Sequence, residues 1–263
     1  MTLVTLTTDF GLKDGNVGVM KGVIWRFAPQ VQIADISHLI TAQNVPEAAL
    51  VLRRSVPFFP QGSIHVLVVD PGVGTSRRPL AARLGKQFFV GPDNGAVTLL
   101  LEYTEDRGEP TTFVHLDRPE FWLPDVSHVF HGRDIFAPAA GHLAAGTPLD
   151  ELGTIIDDPV RLQLPRPEHI PMGWRGEIIH IDHFGNIASN LYRELLEGEI
   201  VATVHVCGVN IDGMVSTFGE RPPGTLVSLF GSTGNLLVCE VNGSAANRLN
   251  ARIGDVLEVT TGM

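Results

Sequence analysis

The chain has 263 residues and a mass of 28.4 kDa, with 19 Lys and Arg against 29 Asp and Glu, a formal charge of −10. That length suits one large or two modest domains, and 44% apolar with 18% charged residues is a globular balance that excludes a disordered chain. The acidic surplus, with basic residues no denser than pairs such as Arg53–Arg54 and Arg77–Arg78, argues against a nucleic-acid partner.

No apolar run approaches the roughly 20 residues needed to span a bilayer, so no membrane partner is expected. Met1–Asp9 has neither a basic start nor a small-residue cleavage site, and so does not read as a signal peptide. Cys207 and Cys239 lie in apolar, strand-like stretches without metal spacing. They are expected as buried free thiols of a cytoplasmic protein.

Along the chain, Leu3–Thr8 reads as a strand and Gly18–Phe27 as a helix closed by Ala28-Pro29. Val31–Ile36 is a second strand, followed by a helix near Pro46–Ser55. Ser63–Asp70 is a buried strand that ends on a carboxylate, with Pro71-Gly72 turning the chain. Lys86–Val90 and Gly95–Tyr103 give another strand and helix, and Ile135–Leu143 a last helix stopped by Gly146 and Pro148. Alternation of this kind predicts an α/β domain over residues 1–164, with a largely parallel sheet flanked by helices.

Residues 165–173, rich in proline, read as a linker. Beyond it, Gly176–Asp182, Glu199–Val206, Thr225–Phe230, Leu236–Glu240 and Asp255–Thr260 are short strands separated by turn signals. They predict a small all-β domain, most simply a barrel, over residues 174–263.

Polar residues at the carboxyl ends of such strands are the usual site positions, and Asp9 and Asp70 occupy them. One carboxylate at Asp9 suits two hydroxyl donors of a ribose; a turn or helix-capping aspartate is the competing reading. In Asp70-Pro-Gly-Val-Gly-Thr-Ser-Arg77 the glycines let the loop fold Asp onto Arg, for chemistry or as a structural ion pair. The spacing is neither a P-loop nor a dinucleotide fingerprint.

Phe130-His131-Gly132-Arg133 offers a histidine before a helix, either a general base or a hydrogen-bonded helix-start residue. His128 nearby lacks the partners of a metal motif, and no metal or other cofactor is expected. Asp182-His-Phe184-Gly-Asn186 surrounds an aromatic ring with a carboxylate and an amide, as a ligand edge or a turn would. Gly231-Ser232-Thr233-Gly234 is a carboxylate cradle or a hairpin.

In order, these segments, with Gly91-Pro-Asp-Asn-Gly95, resemble the S-adenosylmethionine hydroxide adenosyltransferases, relatives of fluorinases and chlorinases, over nearly the whole chain. The resemblance implies a homotrimer with an N-terminal α/β domain, a C-terminal β-barrel and sites between neighbouring subunits. It implies that Asp9 holds the ribose hydroxyls. Asn186 reads the adenine edge, with Phe130, Phe184, Phe218 and the backbone near Glu240 to Asn242 completing the binding surface. Asp182 meets the methionine ammonium, and Ser232 with Thr233 its carboxylate. Asp70, Arg77 and His131 match the hydrolysing branch, where they activate water. Gln43-Asn44, Thr233 and Leu237 depart from residue types common among relatives.

The implied reaction is attack of water or hydroxide on ribose C5′ of S-adenosylmethionine, releasing adenosine and methionine. The sulfonium needs no acid, so catalysis reduces to placing and activating the oxygen. The alternatives are halide as nucleophile on the same scaffold, or a non-catalytic protein that binds adenosine or S-adenosylmethionine.

Overall fold

The computed structural model describes residues 2–262. The chain divides into two compact units, one up to Gln163 and one from Leu164 onward.

In the first unit the elements are β1 (Leu3–Thr8), α1 (Asn16–Phe27), β2 (Gln32–Ser37), α2 (Val45–Ser55), β3 (Ile64–Val68), β4 (Pro79–Leu84), β5 (Gln87–Pro92), α3 (Thr98–Glu105), β6 (Thr111–His115), α4 (Ala137–Ala144) and β7 (Thr154–Ile156). They form one seven-stranded sheet in the order β2-β1-β3-β5-β4-β6-β7.

The sheet is mixed, which corrects the expected largely parallel one. β1–β2, β1–β3 and β3–β5 are parallel, while β5–β4, β4–β6 and β6–β7 are antiparallel. The reason is local. Gly85 (φ +59) and Lys86 turn β4 directly back into β5, and a connection that short joins only antiparallel strands.

Strand β3, Ile-His-Val-Leu-Val, is buried at every position, as a central strand covered on both faces should be. Val66 and Val68 pack with Met20 and Ile24 of α1 and Ala139 and Ala140 of α4. Leu67 and Val69 pack with Ala48 and Leu52 of α2 and Leu100 and Leu101 of α3. Period-two alternation thus sends neighbouring side chains to two different cores.

The second unit contains β8 (Glu168–Ile170), β9 (Gly173–Ile181), β10 (Ile187–Tyr192), β11 (Ile200–Val206), β12 (Val209–Asp212), β13 (Leu226–Phe230), β14 (Asn235–Glu240), α5 (Ala245–Leu249) and β15 (Val256–Gly262). The sheet runs β12-β11-β15-β9-β10-β14-β13, all antiparallel, with β8 on β9.

The sheet is nearly closed into a barrel. Past β12, the Val215 N–H donates to Ser228 O on β13 at 2.9 Å, and Ser228 Oγ donates to Gly213 O at 2.5 Å. Ile178, Ile187, Val204, Leu236, Val238 and Leu257 fill its interior. β8 lies inside the proline-rich segment read as a linker.

Both cysteines are free, but only Cys239 is buried. Cys207 is exposed at the turn between β11 and β12, where its φ of +49 belongs to a hairpin corner and not to a strand.

Candidate active site

Thr8 of β1 pairs with Val68 of β3 in parallel register, so the two chains leave the sheet side by side and place Asp9 and Asp70 at adjacent strand ends. Asp9 is fixed by accepting the Gln43 N–H on Oδ2 at 2.8 Å. Just before it, Thr8 Oγ1 meets His38 Nδ1 at 3.0 Å. His38 Nε2 stands 3.1 Å from Asp35 Oδ1, and Lys21 Nζ donates to Asp35 at 2.6 Å. Those hydrogen bonds from Lys21 and His38 hold the Asp35 carboxyl below its ordinary range, against the opposing effect of burial.

After Asp70 the loop folds back in short turns. The Val73 N–H donates to Asp70 O at 3.2 Å, Thr75 Oγ1 donates to Gly72 O at 2.7 Å, and the Arg77 N–H donates to Thr75 Oγ1 at 3.3 Å. Gly74 (φ +75) is required here twice over, because a Cβ would also collide with the carbonyl oxygen of His128. The result brings Arg77 onto Asp70 as a fork: Nε donates to Oδ1 at 3.0 Å and Nη2 to Oδ2. Both side chains are buried, at 7% and 4% exposure. Asn94 Nδ2 supports the strand end by donating to Val69 O at 2.9 Å. That is one role of the Gly91–Gly95 segment.

His131 begins a π-helical turn, Gly132–Phe136, that leads into α4. Such turns widen a helix by one residue and recur at functional sites. Asp134 anchors this one from inside: fully buried, it accepts the Ser127 N–H at 2.8 Å and the Arg133 guanidinium at 2.5 and 2.9 Å.

Arg77 Nη2 lies 3.0 Å from His131 Nδ1. A guanidinium can only donate, so Nδ1 is the acceptor and the neutral ring carries its proton on Nε2. Burial first, and then the charge of Arg77, holds the His131 pKa below its ordinary 6.5.

A cavity of about 160 Å³ is walled by Asp9, Gln43, Asp70, Phe130, His131 and Gly132 among others. Phe10, which also lines it, meets Phe130 edge to face at 5.6 Å. Arg77 joins the two wall residues Asp70 and His131. Among the described residues no His/Cys/Asp/Glu cluster with metal-binding geometry occurs.

The second unit places the other expected residues in four turns. Between β9 and β10, Asp182 Oδ1 accepts the N–H groups of Phe184 and Asn186, both at 2.9 Å, and Oδ2 accepts Asn186 Nδ2 at 2.8 Å. Asp182 therefore shapes this turn, and Phe184 projects from it 73% exposed. The Ala246 N–H donates to Gly185 O at 3.0 Å, joining the turn to α5 beside Glu240 and Asn242.

Asn242 has a φ of +53, and Glu240 pairs with Arg248 at 3.2 Å. Phe218 starts a short helical turn whose ends are tied by the Thr217–Glu220 capping box. Ser232 and Thr233 sit at the opposite end of β14 from Glu240, with Thr233 Oγ1 donating to Asn235 Oδ1 at 2.9 Å.

Two site features were not singled out from the sequence. Asp134 is one, a carboxylate with no partner evident in its local sequence. Gln43 stood out only as a departure from related sequences, although it lines the cavity.

Comparison with known proteins bears on both units. A family model described as the SAM hydroxide adenosyltransferase N-terminal domain matches residues 4–153, and its C-terminal-domain counterpart matches residues 176–258. The (R)-S-adenosyl-L-methionine hydrolase of Salinispora arenicola is 38% identical, covering 98% of each chain. The crystal structure of an uncharacterized conserved protein from Thermotoga maritima superposes with a TM-score of 0.88 at 32% identity, covering 99% of this chain and all of that one. A fluorinase of Actinoplanes sp. is more distant, at 28% identity over 98% of this chain and 97% of its own.

Proposed function

The chain belongs to the SAM hydroxide adenosyltransferase family, and from that premise we propose that it splits S-adenosyl-L-methionine with water into adenosine and L-methionine. The relatives' name directs the proposal to the (R)-sulfonium epimer. The observation that carries it is the hydrogen-bonded Asp70–Arg77–His131 set beside Asp9, with three of these four lining one cavity.

The chemistry follows from hydrogen-bond capacity. His131 offers an Nε2–H and no free lone pair, and Arg77 offers only donors. Asp70 is then the one acceptor of the set. A water in the cavity donates to Asp70 and accepts from His131, which leaves an oxygen lone pair to meet C5′.

As the C5′–O bond forms, the C5′–S bond breaks and its electron pair neutralises the sulfonium as the thioether of methionine. The surplus proton passes from the attacking oxygen towards Asp70 and then to solvent. No acid is needed at the leaving group. A wall of fixed groups places the oxygen without reorganisation.

Asp9 is the ribose anchor in this reading, with one carboxylate oxygen committed to Gln43 N–H and the other available. Asn186 and the Glu240–Asn242 backbone take the adenine. Phe130, Phe184 and Phe218 flank the substrate, Asp182 takes the ammonium, and Ser232 with Thr233 the carboxylate. No cofactor takes part.

The proposed assembly is a homotrimer with sites between neighbouring subunits. Exposed Leu12, Leu39 and Val129 support it: they leave apolar surface on and beside the segments that build the cavity, which a second protomer would cover. Among the described residues no helix is long and apolar enough to cross a membrane, and a cytoplasmic location is proposed.

Incubation with S-adenosylmethionine in oxygen-18 water, with and without halide, tests the reaction. Label in the adenosine 5′-hydroxyl is the expected result. A 5′-halo-adenosine, or tight binding without turnover, would overturn hydrolysis.

A further inference from the structure

Gln43 has a φ of +65, in the left-handed region that side-chain-bearing residues other than Asn and Asp seldom occupy. Such strain persists where the surroundings over-determine it, and it concentrates at ligand clamps. The surroundings here do so. Asn44 Oδ1 caps α2 through the Glu47 N–H at 3.1 Å, and Glu47 Oε2 reaches back to the Thr41 N–H at 3.1 Å. The Asn44 N–H closes a turn onto Thr41 O at 2.9 Å, and Asp9 Oδ2 pins the Gln43 N–H at 2.8 Å. Glycine would meet every one of these backbone demands without strain. What it would lack is the carboxamide, and Gln43 is an exposed residue lining the same cavity as Asp9, Asp70 and His131.

We propose that Gln43 is a specificity-determining residue of this site, its carboxamide holding the ribose hydroxyl edge together with Asp9. The proposal deepens the adenosine-binding part of the functional reading and rests on it. Its basis is a division of labour. Asp9 has spent one oxygen on the Gln43 backbone, so its carboxylate offers one uncommitted oxygen to a diol. A carboxamide beside it supplies both a donor and an acceptor, and can take the second hydroxyl whichever way its proton points. The backbone bond holds the two residues side by side, so that together they can serve the two hydroxyls of a cis-diol.

The test uses the full-length protein and calorimetric binding of adenosine, 2′-deoxyadenosine and 3′-deoxyadenosine, compared with Gln43→Gly and Gln43→Ala. Gln43→Gly should melt at or above the wild-type temperature, because the left-handed position is relieved. It should bind adenosine about fivefold to tenfold more weakly, the loss of one hydrogen bond. Against one of the two deoxynucleosides that loss should vanish, because the partner hydroxyl is already gone.

Equal affinity of wild type and both variants for adenosine would overturn the proposal, as would the same loss against all three ligands. Hydrolysis is followed separately. Wild-type protein that binds adenosine but leaves S-adenosylmethionine intact would sink the hydrolase reading and leave the Gln43 result standing. Wild-type protein that does not bind adenosine would overturn the Gln43 proposal and leave hydrolysis to be judged on turnover.

Discussion

Arg77 Nη2 donates to His131 Nδ1 across 3.0 Å, and this one contact decides what the imidazole can do. With Nδ1 occupied by an obligate donor, the ring is neutral and its free nitrogen bears a hydrogen. His131 then presents a donor to the cavity, and proton acceptance falls to Asp70.

Substitutions that separate donor from acceptor follow directly. Gln at position 131 keeps an N–H near the place of Nε2, so His131→Gln should stay within about tenfold of wild-type kcat, whereas His131→Ala should lose about a hundredfold. Asp70→Asn removes the acceptor and should lose ~100- to 10,000-fold in kcat with a smaller change in KM. If His131 were the base, Gln and Ala would be equally inactive. Single-turnover rates of the three variants decide between the two assignments.

How legible this set was from sequence varies by residue. Asp70 and Arg77 are seven apart in a glycine-bearing loop, and a loop of that length can close on itself, so their pairing could be anticipated. His131 is 54 residues beyond Arg77 and reaches it only through the tertiary fold, which no local pattern encodes. That Asp9 and Asp70 each follow a strand of an α/β sheet was visible in the alternation of strands and helices, but the neighbourhood of β1 and β3 that aligns them was not. The antiparallel half of the sheet was not visible either. Neither β4 nor β6 is among the strands expected from the sequence, and the Gly85-Lys86 turn that reverses the chain looks like any glycine between two elements. Asp134 escaped because burial of a helical acid is a tertiary fact. The strain at Gln43 escaped because φ is not written in residue type.

The rate should depend on pH through His131. Burial and Arg77 hold its pKa below 6.5, so the neutral, competent form persists as pH falls past the ordinary histidine value. The acid limb of kcat/KM should accordingly lie below pH 6.5, and His131→Gln should abolish the part of that limb due to the imidazole. An unchanged limb in this variant would assign it to another group.

Stability should show a separate acid dependence from His65, which lies fully buried in β3 with Nδ1 2.8 Å from Thr5 Oγ1. Burial pushes its pKa down to about 4 from 6.5. The unfolded chain therefore takes up this proton first as pH falls. The contribution to stability is complete above pH 6.5 and is lost progressively between 6.5 and about 4. At ~1.4 kcal/mol per unit, about 2 kcal/mol should go between pH 7 and 5. Urea unfolding of wild type and His65→Gln across this range tests it. The stability difference between them should shift in favour of the variant by that amount as pH falls, and a constant difference would contradict the assignment.

Gly74 is the position at which loop geometry and chemistry are most tightly joined. Its positive φ disfavours any side chain, and the His128 carbonyl occupies the space that a Cβ would enter. Relief is available in only two directions. Either the Asp70–Arg77 loop moves, or the 123–130 segment moves, and that segment is tied through the Ser127 N–H to the buried Asp134 of the π-helical turn that follows His131. The first movement shifts the loop that carries Arg77, and the second the segment that leads into His131. Gly74→Ala should therefore cost about 1–3 kcal/mol of stability, and it should lower kcat by more than the change in folded fraction explains. Thermal unfolding and turnover of the same sample, at a temperature where the variant is fully folded, separate the two effects. Full activity at that temperature would mean that the contact between the two loops does not set the geometry of the site.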